Sequence, residues 1–173
     1  MSNEPLTPEP ERAARPTVDE VPAEVLEAQG NPNHRFGDYV LVRQVGWGGH
    51  GVVYRAWQRS LRRWVALKFL HVGDAVAMER FAREARVAAK LNHANIVPMY
   101  DVGDFEGRAF ITMKLIDGET LDRARMEINK AVDVIASAAD AVEHAHERGI
   151  IHRDLKPANM MVSREGDPVC HPG

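Results

Sequence analysis

Ile151-His152-Arg153-Asp154-Leu155-Lys156-Pro157-Ala158-Asn159 is the stretch from which the rest of the chain can be read. It sets a carboxylate, an ammonium and an amide within the six residues from Asp154 to Asn159. That grouping suits the transfer of a phosphoryl group to a hydroxyl. The Asp can accept the hydroxyl's proton, the Lys can neutralise charge on the moving phosphate, and the Asn can ligate a metal ion.

Immediately upstream, Ile128 to Arg148 reads as a long helix, with Val132, Ile135, Ala136, Ala139, Val142 and Ala145 facing inward and Gly149 as its stop. Leu121 to Met126 reads as a short helix before it. His144 and His146 lie two apart and so point to different helix faces. They make a poor metal pair and are read as surface or interlobe packing residues.

Further back the period changes from helix to strand. Tyr39 to Val45 is β-branched and aromatic, runs into Gly46-Trp47-Gly48-Gly49-His50-Gly51, and resumes as a strand from Val52 to Trp57. Glycines let a backbone approach polyphosphate and aim N–H groups at it. A dinucleotide fold uses the same glycine spacing, but there the turn opens a helix; Val52, Val53 and Tyr54 continue as a strand. A plain glycine-turned hairpin is the bland alternative. The next strand, Arg63 to Leu70, carries Lys68 inside an otherwise apolar run. A lysine there either snorkels to solvent or meets an anion. Behind a glycine hairpin, Val65-Ala66-Leu67-Lys68 points to phosphate.

Asp74 to Leu91 reads as a helix whose apolar stripe is Met78, Phe81, Ala85, Ala88 and Leu91, ended by His93-Ala94-Asn95. Glu84, mid-helix beside that stripe, is the expected partner of Lys68, with Glu79 as competitor; an exposed salt-bridge lattice is the ordinary use of such glutamates. Ile96 to Val102 and Ala109 to Leu115 read as two more strands around a turn at Glu106-Gly107. Five strands and one helix make a small antiparallel α+β lobe. Met113 to Gly118 then leaves the sheet as a connection whose backbone could meet an adenine edge.

Taken together, these motifs resemble the eukaryotic-like serine/threonine protein kinases of bacteria. The resemblance rests on Gly46-x-Gly48-x-x-Gly51-x-Val53, Val65-Ala66-Leu67-Lys68, Arg83-Glu84-Ala85, His93-Ala94-Asn95-Ile96-Val97 and His152-Arg153-Asp154-Leu155-Lys156-Pro157-Ala158-Asn159, and it covers about residues 37 to 169. It implies a protein-kinase-like α+β fold, with a small lobe over 37–113, a hinge over 114–118 and the start of a helical large lobe over 119–173. It implies ATP and Mg2+ as cofactors and a protein with a Ser or Thr hydroxyl as substrate. By the resemblance, Val45, Gly46, Gly48, Gly49, Gly51, Val53 and Ala66 would enclose the nucleotide. Lys68, braced by Glu84, would hold its α- and β-phosphates. Met113 would be the gatekeeper, with the backbones of Lys114 and Ile116 on adenine. Asp154 would be the base, Lys156 would stabilise the γ-phosphate, and Asn159 would bind magnesium. Arg153 would clamp a phosphorylated activation loop. Lys156, two residues past the Asp, goes with Ser/Thr rather than Tyr substrates.

The sequence departs from that family after Asn159. A hairpin is expected to turn at Glu165-Gly166-Asp167, but no Asp-Phe-Gly occurs in the 173 residues, and the text turns unlike the family near Cys170. The expectation is a kinase domain cut after its catalytic loop, through a frameshift, an early stop or a deliberate shortening. Its long helix would keep an uncovered apolar face that a partner could cover. The alternative function is a remnant that binds nucleotide or a partner without turnover. A choline- or aminoglycoside-kinase relative is disfavoured by Lys156-Pro157-Ala158-Asn159.

Composition sets the outer limits. Net charge is −3, which indicates no general polyanion or nucleic-acid partner, and hydrophobic content of 45% is that of a globular chain. The single cysteine, Cys170, permits no internal disulfide and fits a reducing compartment. No apolar run is long enough to span a bilayer, and the cytoplasm is the expected location. Residues 1–36 hold six of the ten prolines and seven acidic against three basic residues, and are read as a disordered leader. Within it, Val18 to Gln29 could form a short helix with Val21, Val25 and Leu26 on one face.

Overall fold

Alternation along one strand decides which way the side chain of Lys68 looks. In β4 (Arg63–Phe69), Val65, Leu67 and Phe69 enter one apolar cluster, whereas Ala66 enters another on the opposite face. Side chains two apart share a face, so Lys68 goes with Ala66. The computed structural model describes residues 21–48, 51–70, 83, 85, 87–152, 154–164 and 168–170.

Around β4 lie β2 (Tyr39–Gly48), β3 (Gly51–Gln58), β5 (Met99–Phe105) and β6 (Arg108–Lys114), the expected five-stranded antiparallel sheet. A two-residue β1 (Arg35–Phe36) extends its edge, giving the order β1-β2-β3-β4-β6-β5. The register pairs Lys68 with Val53 on one side and Ile111 on the other, and Ala66 with Met113. These cross-strand neighbours share the face of Lys68. The opposite face is sealed by Phe36, whose ring lies edge-on 4.8 Å from Phe69 and 5.2 Å from Phe110. Glu106 and Gly107, both at positive φ, form the expected turn between β5 and β6.

The chain begins to fold earlier than residue 37. α1 (Ala23–Gln29) buries Val25 and Ala28 against Val40 and Trp57 on the sheet. Glu24 pairs with Arg55 at 2.6 Å, and Arg35 donates twice to the Gln29 carbonyl, at 2.9 and 2.7 Å. Leader composition, averaged over 36 residues, hides a local apolar pair that folds once the sheet offers it a surface. The buried face uses Ala28 rather than Leu26, which is exposed.

Three further expectations change. β5 starts at Met99 rather than Ile96, because Pro98 has no N–H for a ladder; its carbonyl instead accepts from Lys114 N–H at 2.9 Å. Residues 121–123 form a turn and 124–126 run on irregularly, not as a helix: Arg123 and Ala124 N–H both return to the Thr120 carbonyl and no ladder follows. The long helix, α2 (Ile128–His146), shows a different face to the core. Val134, Ala138, Ala141 and Ala145 are buried, whereas Ile128, Val132 and Ile135 are 81%, 61% and 53% exposed. Of the residues expected inside, only Ala145 is buried. Small alanines win because they let α2 press against Ile96, Met160 and Cys170. Of the helix expected over 74–91, the described residues Arg83, Ala85, Val87 and Ala88 are helical.

Past Asn159, β8 (Met160–Ser163) pairs with β9 (Pro168–Cys170) and with β7 (Gly118–Thr120), an unforeseen strand. The β8–β9 register fits the expected hairpin; its turn at 165–167 lies outside the described residues. Asn95 ties this second sheet to the first. It donates Nδ2 to Pro168 O and accepts Cys170 N–H, each at 2.7 Å, while Val97 N–H donates to Cys170 O at 2.9 Å.

Candidate functional site

Between the two sheets lies a cleft of about 1450 Å³. The face of β4 that carries Lys68 forms one wall, and the stretch after α2 forms the other. Val45, Gly46, Gly51, Val53, Ala66 and Lys68 line the first wall, Met113, Lys114 and Ile116 its back, and Asp154, Lys156 and Asn159 the second. Residues up to 114 positions apart in sequence therefore meet at one site. Gly48 ends β2 opposite Gly51. Gly49, Arg153, Glu79 and Glu84 lie outside the described residues, so the expected Lys68–Glu84 pair remains a proposal.

The second wall is a set of short hydrogen bonds built on consecutive residues. Asp154 N–H donates to His152 O at 2.7 Å and to His152 Nδ1 at 3.3 Å, which folds the loop back on itself. Lys156 Nζ stands 3.0 and 2.9 Å from the two carboxylate oxygens of Asp154. Asn159 Nδ2 donates to Asp154 O at 2.7 Å and to Oδ2 at 2.8 Å. Pro157 at the start of a 3₁₀ turn, Pro157–Asn159, brings Asn159 back over Asp154. The carboxylate is thus aimed, and the Lys156 ammonium stands against its charge.

Lys68 is electrostatically strained. Burial pushes its ammonium below the ordinary lysine range, Lys156 pushes the same way, and Asp154 pulls it back up. A cation held partly out of water favours an anionic partner or ligand.

The glycines divide by cause. Gly51 sits at φ +125°, and a Cβ there would collide with the Phe69 carbonyl oxygen of β4. Its glycine is required by strand packing. Gly46 is different: an added Cβ would meet only Val53 side-chain atoms at 3.5 Å, an ordinary contact. Among the described residues nothing demands glycine at 46, and the missing side chain leaves the cleft wall open there. That opening, with Lys68 behind it, fits a polyphosphate. Asn159 commits its amide N–H groups to Asp154 and keeps an amide oxygen, the hard donor type magnesium takes. At the back, Lys114 N–H is engaged by Pro98, so a ligand contact by Lys114 falls to its carbonyl.

Sequence reasoning passed over three contributors. Met161 lines the cleft from β8, two residues past Asn159, while Met160 beside it is buried; the strand period after Asn159 was the available signal. Gly118 allows β7 to touch β8, since a Cβ there would strike Val162 O. His152 shapes the Asp154 loop through its ring nitrogen.

The cleft between an antiparallel sheet and an Asp-x-Lys-x-x-Asn loop, with a lysine on the third main strand, is that of the protein kinases. Residues 39–169 match the protein kinase domain model, and the chain belongs to that family. Among its relatives are the serine/threonine-protein kinase PknJ of Mycobacterium tuberculosis, 45% identical over 136 residues, and a probable serine/threonine-protein kinase PknB of Lactococcus lactis, 40% identical over 141 residues. These alignments cover 75% and 76% of this chain but only 23% and 22% of the relatives. The chain thus spans under a quarter of the length of these two. The crystal structure of the Mycobacterium tuberculosis PknI kinase domain superposes with a TM-score of 0.69 at 32% identity, covering 80% of this chain and 60% of that one. Among the described residues no helix is long and apolar enough to cross a membrane.

Proposed function

We propose that the cleft binds Mg-ATP and serves phosphoryl transfer to a Ser or Thr hydroxyl of a protein substrate. The observation that carries this is convergence: Lys68, Asp154, Lys156 and Asn159 line one cleft with the open wall at Gly46. When bound, Mg-ATP supplies the phosphoryl group and the metal charge that neutralises it. The remaining chemistry belongs to the chain's own residues. Lys68 meets the phosphate charge that its burial leaves it seeking. Asp154, held by His152 and Asn159, takes the hydroxyl's proton. Lys156 leaves its ion pair with Asp154 to follow charge onto the transferred group. Asn159 offers its amide oxygen to the metal. Glu84 is the proposed brace of Lys68, and Met113 with the carbonyl of Lys114 and the backbone of Ile116 frames the adenine.

A second reading, nucleotide binding without turnover by these 173 residues on their own, is favoured by one feature: they contain no Asp-Phe-Gly. The two readings separate on a phosphotransfer assay with Mg-ATP and a generic protein substrate, run beside Asp154→Asn. A general base contributes about 10²- to 10⁴-fold, so the first reading expects the variant to lose that much signal. Equal signals from both chains, with ATP still bound, leave the second.

A further inference from the structure

His93 and His144 meet where the loop after the Arg83 helical stretch crosses α2, their ring centroids 4.9 Å apart and planes tilted by 44°. Neither ring is loosely placed. His93 Nδ1 accepts Asn95 N–H at 3.2 Å, so in the neutral ring that nitrogen carries no proton. His144 Nε2 is buried and meets no hydrogen-bond partner among the described residues. The groups bearing on His144 are His93 from the loop, and Arg148 and Glu147 from the exposed end of its own helix. Arg148 is held close, its guanidinium donating to the His144 carbonyl at 3.0 Å.

We propose that the stacked His93–His144 pair is a proton-sensitive joint between the His93–Val97 loop and α2, closed while the His144 ring is neutral and loosened when it is protonated. A neutral buried ring nitrogen is a modest penalty. A proton on it would be a buried charge lacking an acceptor, beside a guanidinium and a second imidazole. The joint matters because the same loop carries Asn95, which ties β9 to the main sheet through Pro168 and Cys170. Burial of His144 lowers its proton affinity, Arg148 and His93 act in the same direction, and Glu147 acts against them. The unfolded chain therefore binds the proton first as pH falls. The pair's contribution is present above the ordinary histidine value and is lost as pH drops through it. This inference is independent of phosphoryl transfer.

The test is thermal unfolding of the full chain from about pH 7.5 to about pH 5.5, bracketing the ordinary histidine range, beside His144→Phe, which keeps a ring and cannot take a proton. Wild type should lose Tm across that range, and His144→Phe should lose distinctly less. Amide hydrogen-exchange protection factors at Ile96 and Val97, corrected for the intrinsic slowing of exchange at lower pH, should fall at low pH in wild type alone. Parallel Tm losses in the two proteins overturn the proposal. So does a His144 imidazole NMR resonance that titrates at or above the ordinary histidine value, a measurement on wild type that decides the matter even if the variant fails to fold.

Discussion

Gly51→Ala and Gly46→Ala are the same chemical change at two glycines of one hairpin, and the structure assigns them opposite consequences. At Gly51 the new methyl faces two costs. The residue sits at φ +125°, where a side chain is strained by about 1–3 kcal/mol. The methyl also runs into the Phe69 carbonyl, so β3 and β4 must part locally, an overpacking cost of about 1–3 kcal/mol more. Even the lower sum is about 2 kcal/mol, which for a chain of this size lowers Tm by about 4–8 °C. At Gly46 the methyl meets only Val53 at 3.5 Å, and replacing a strand glycine by alanine is expected to be neutral or stabilising by about 0.5 kcal/mol. What Gly46→Ala should damage is ligand approach, with ATP affinity falling about tenfold, a loss of about 1.4 kcal/mol. The assays are denaturant unfolding without ligand and calorimetric titration with Mg-ATP. If Gly51→Ala unfolds like wild type, the reasoning on strand packing fails. If Gly46→Ala binds ATP as tightly as wild type, that glycine does not face the phosphates.

Lys68→Met should abolish tight ATP binding while leaving the ligand-free fold as stable or more so, because a costly buried ammonium is gone; calorimetry and denaturant unfolding check both halves. Since the folded-state pKa of Lys68 is depressed, wild type should gain stability relative to Lys68→Met as pH rises toward the ordinary lysine range, and equal pH slopes would refute the burial. Val25→Ala removes two buried carbons and should cost about 2 kcal/mol by denaturant unfolding, whereas a true disordered leader would show no effect. On α2, Ile135→Ser should change stability by less than about 0.5 kcal/mol, while Ala141→Leu should cost about 1–3 kcal/mol; the reverse order would restore the face expected from the sequence.

The misread helix face is instructive. Counting bulky aliphatics every three to four residues selects Val132, Ile135 and Val142, but α2 buries Val134 and three alanines. Periodicity reports that a stripe exists; the distance of closest approach decides which stripe faces the core. Against Ile96, Met160 and Cys170 the small residues fit. The same limit explains residues 23–36. Their composition is that of a leader, and only the surface offered by Val40 and Trp57 turns Val25 and Ala28 into core.

By itself, the sequence determined the family and nominated most of the residues that line the candidate cleft. Spacing within Asp154–Asn159 and period-two alternation through Lys68 are local properties, and local geometry carries them into structure without help from distant residues. Tertiary structure decided what depends on approach between elements. It brought Lys68 and Asp154 to one cleft and depressed the lysine by burial. It also separated a glycine that packing requires from one that leaves the cleft open. For the opening stretch, the six residues that named a chemistry become a carboxylate aimed by His152, Lys156 and Asn159, because the 3₁₀ turn at Pro157–Asn159 closes on Asp154.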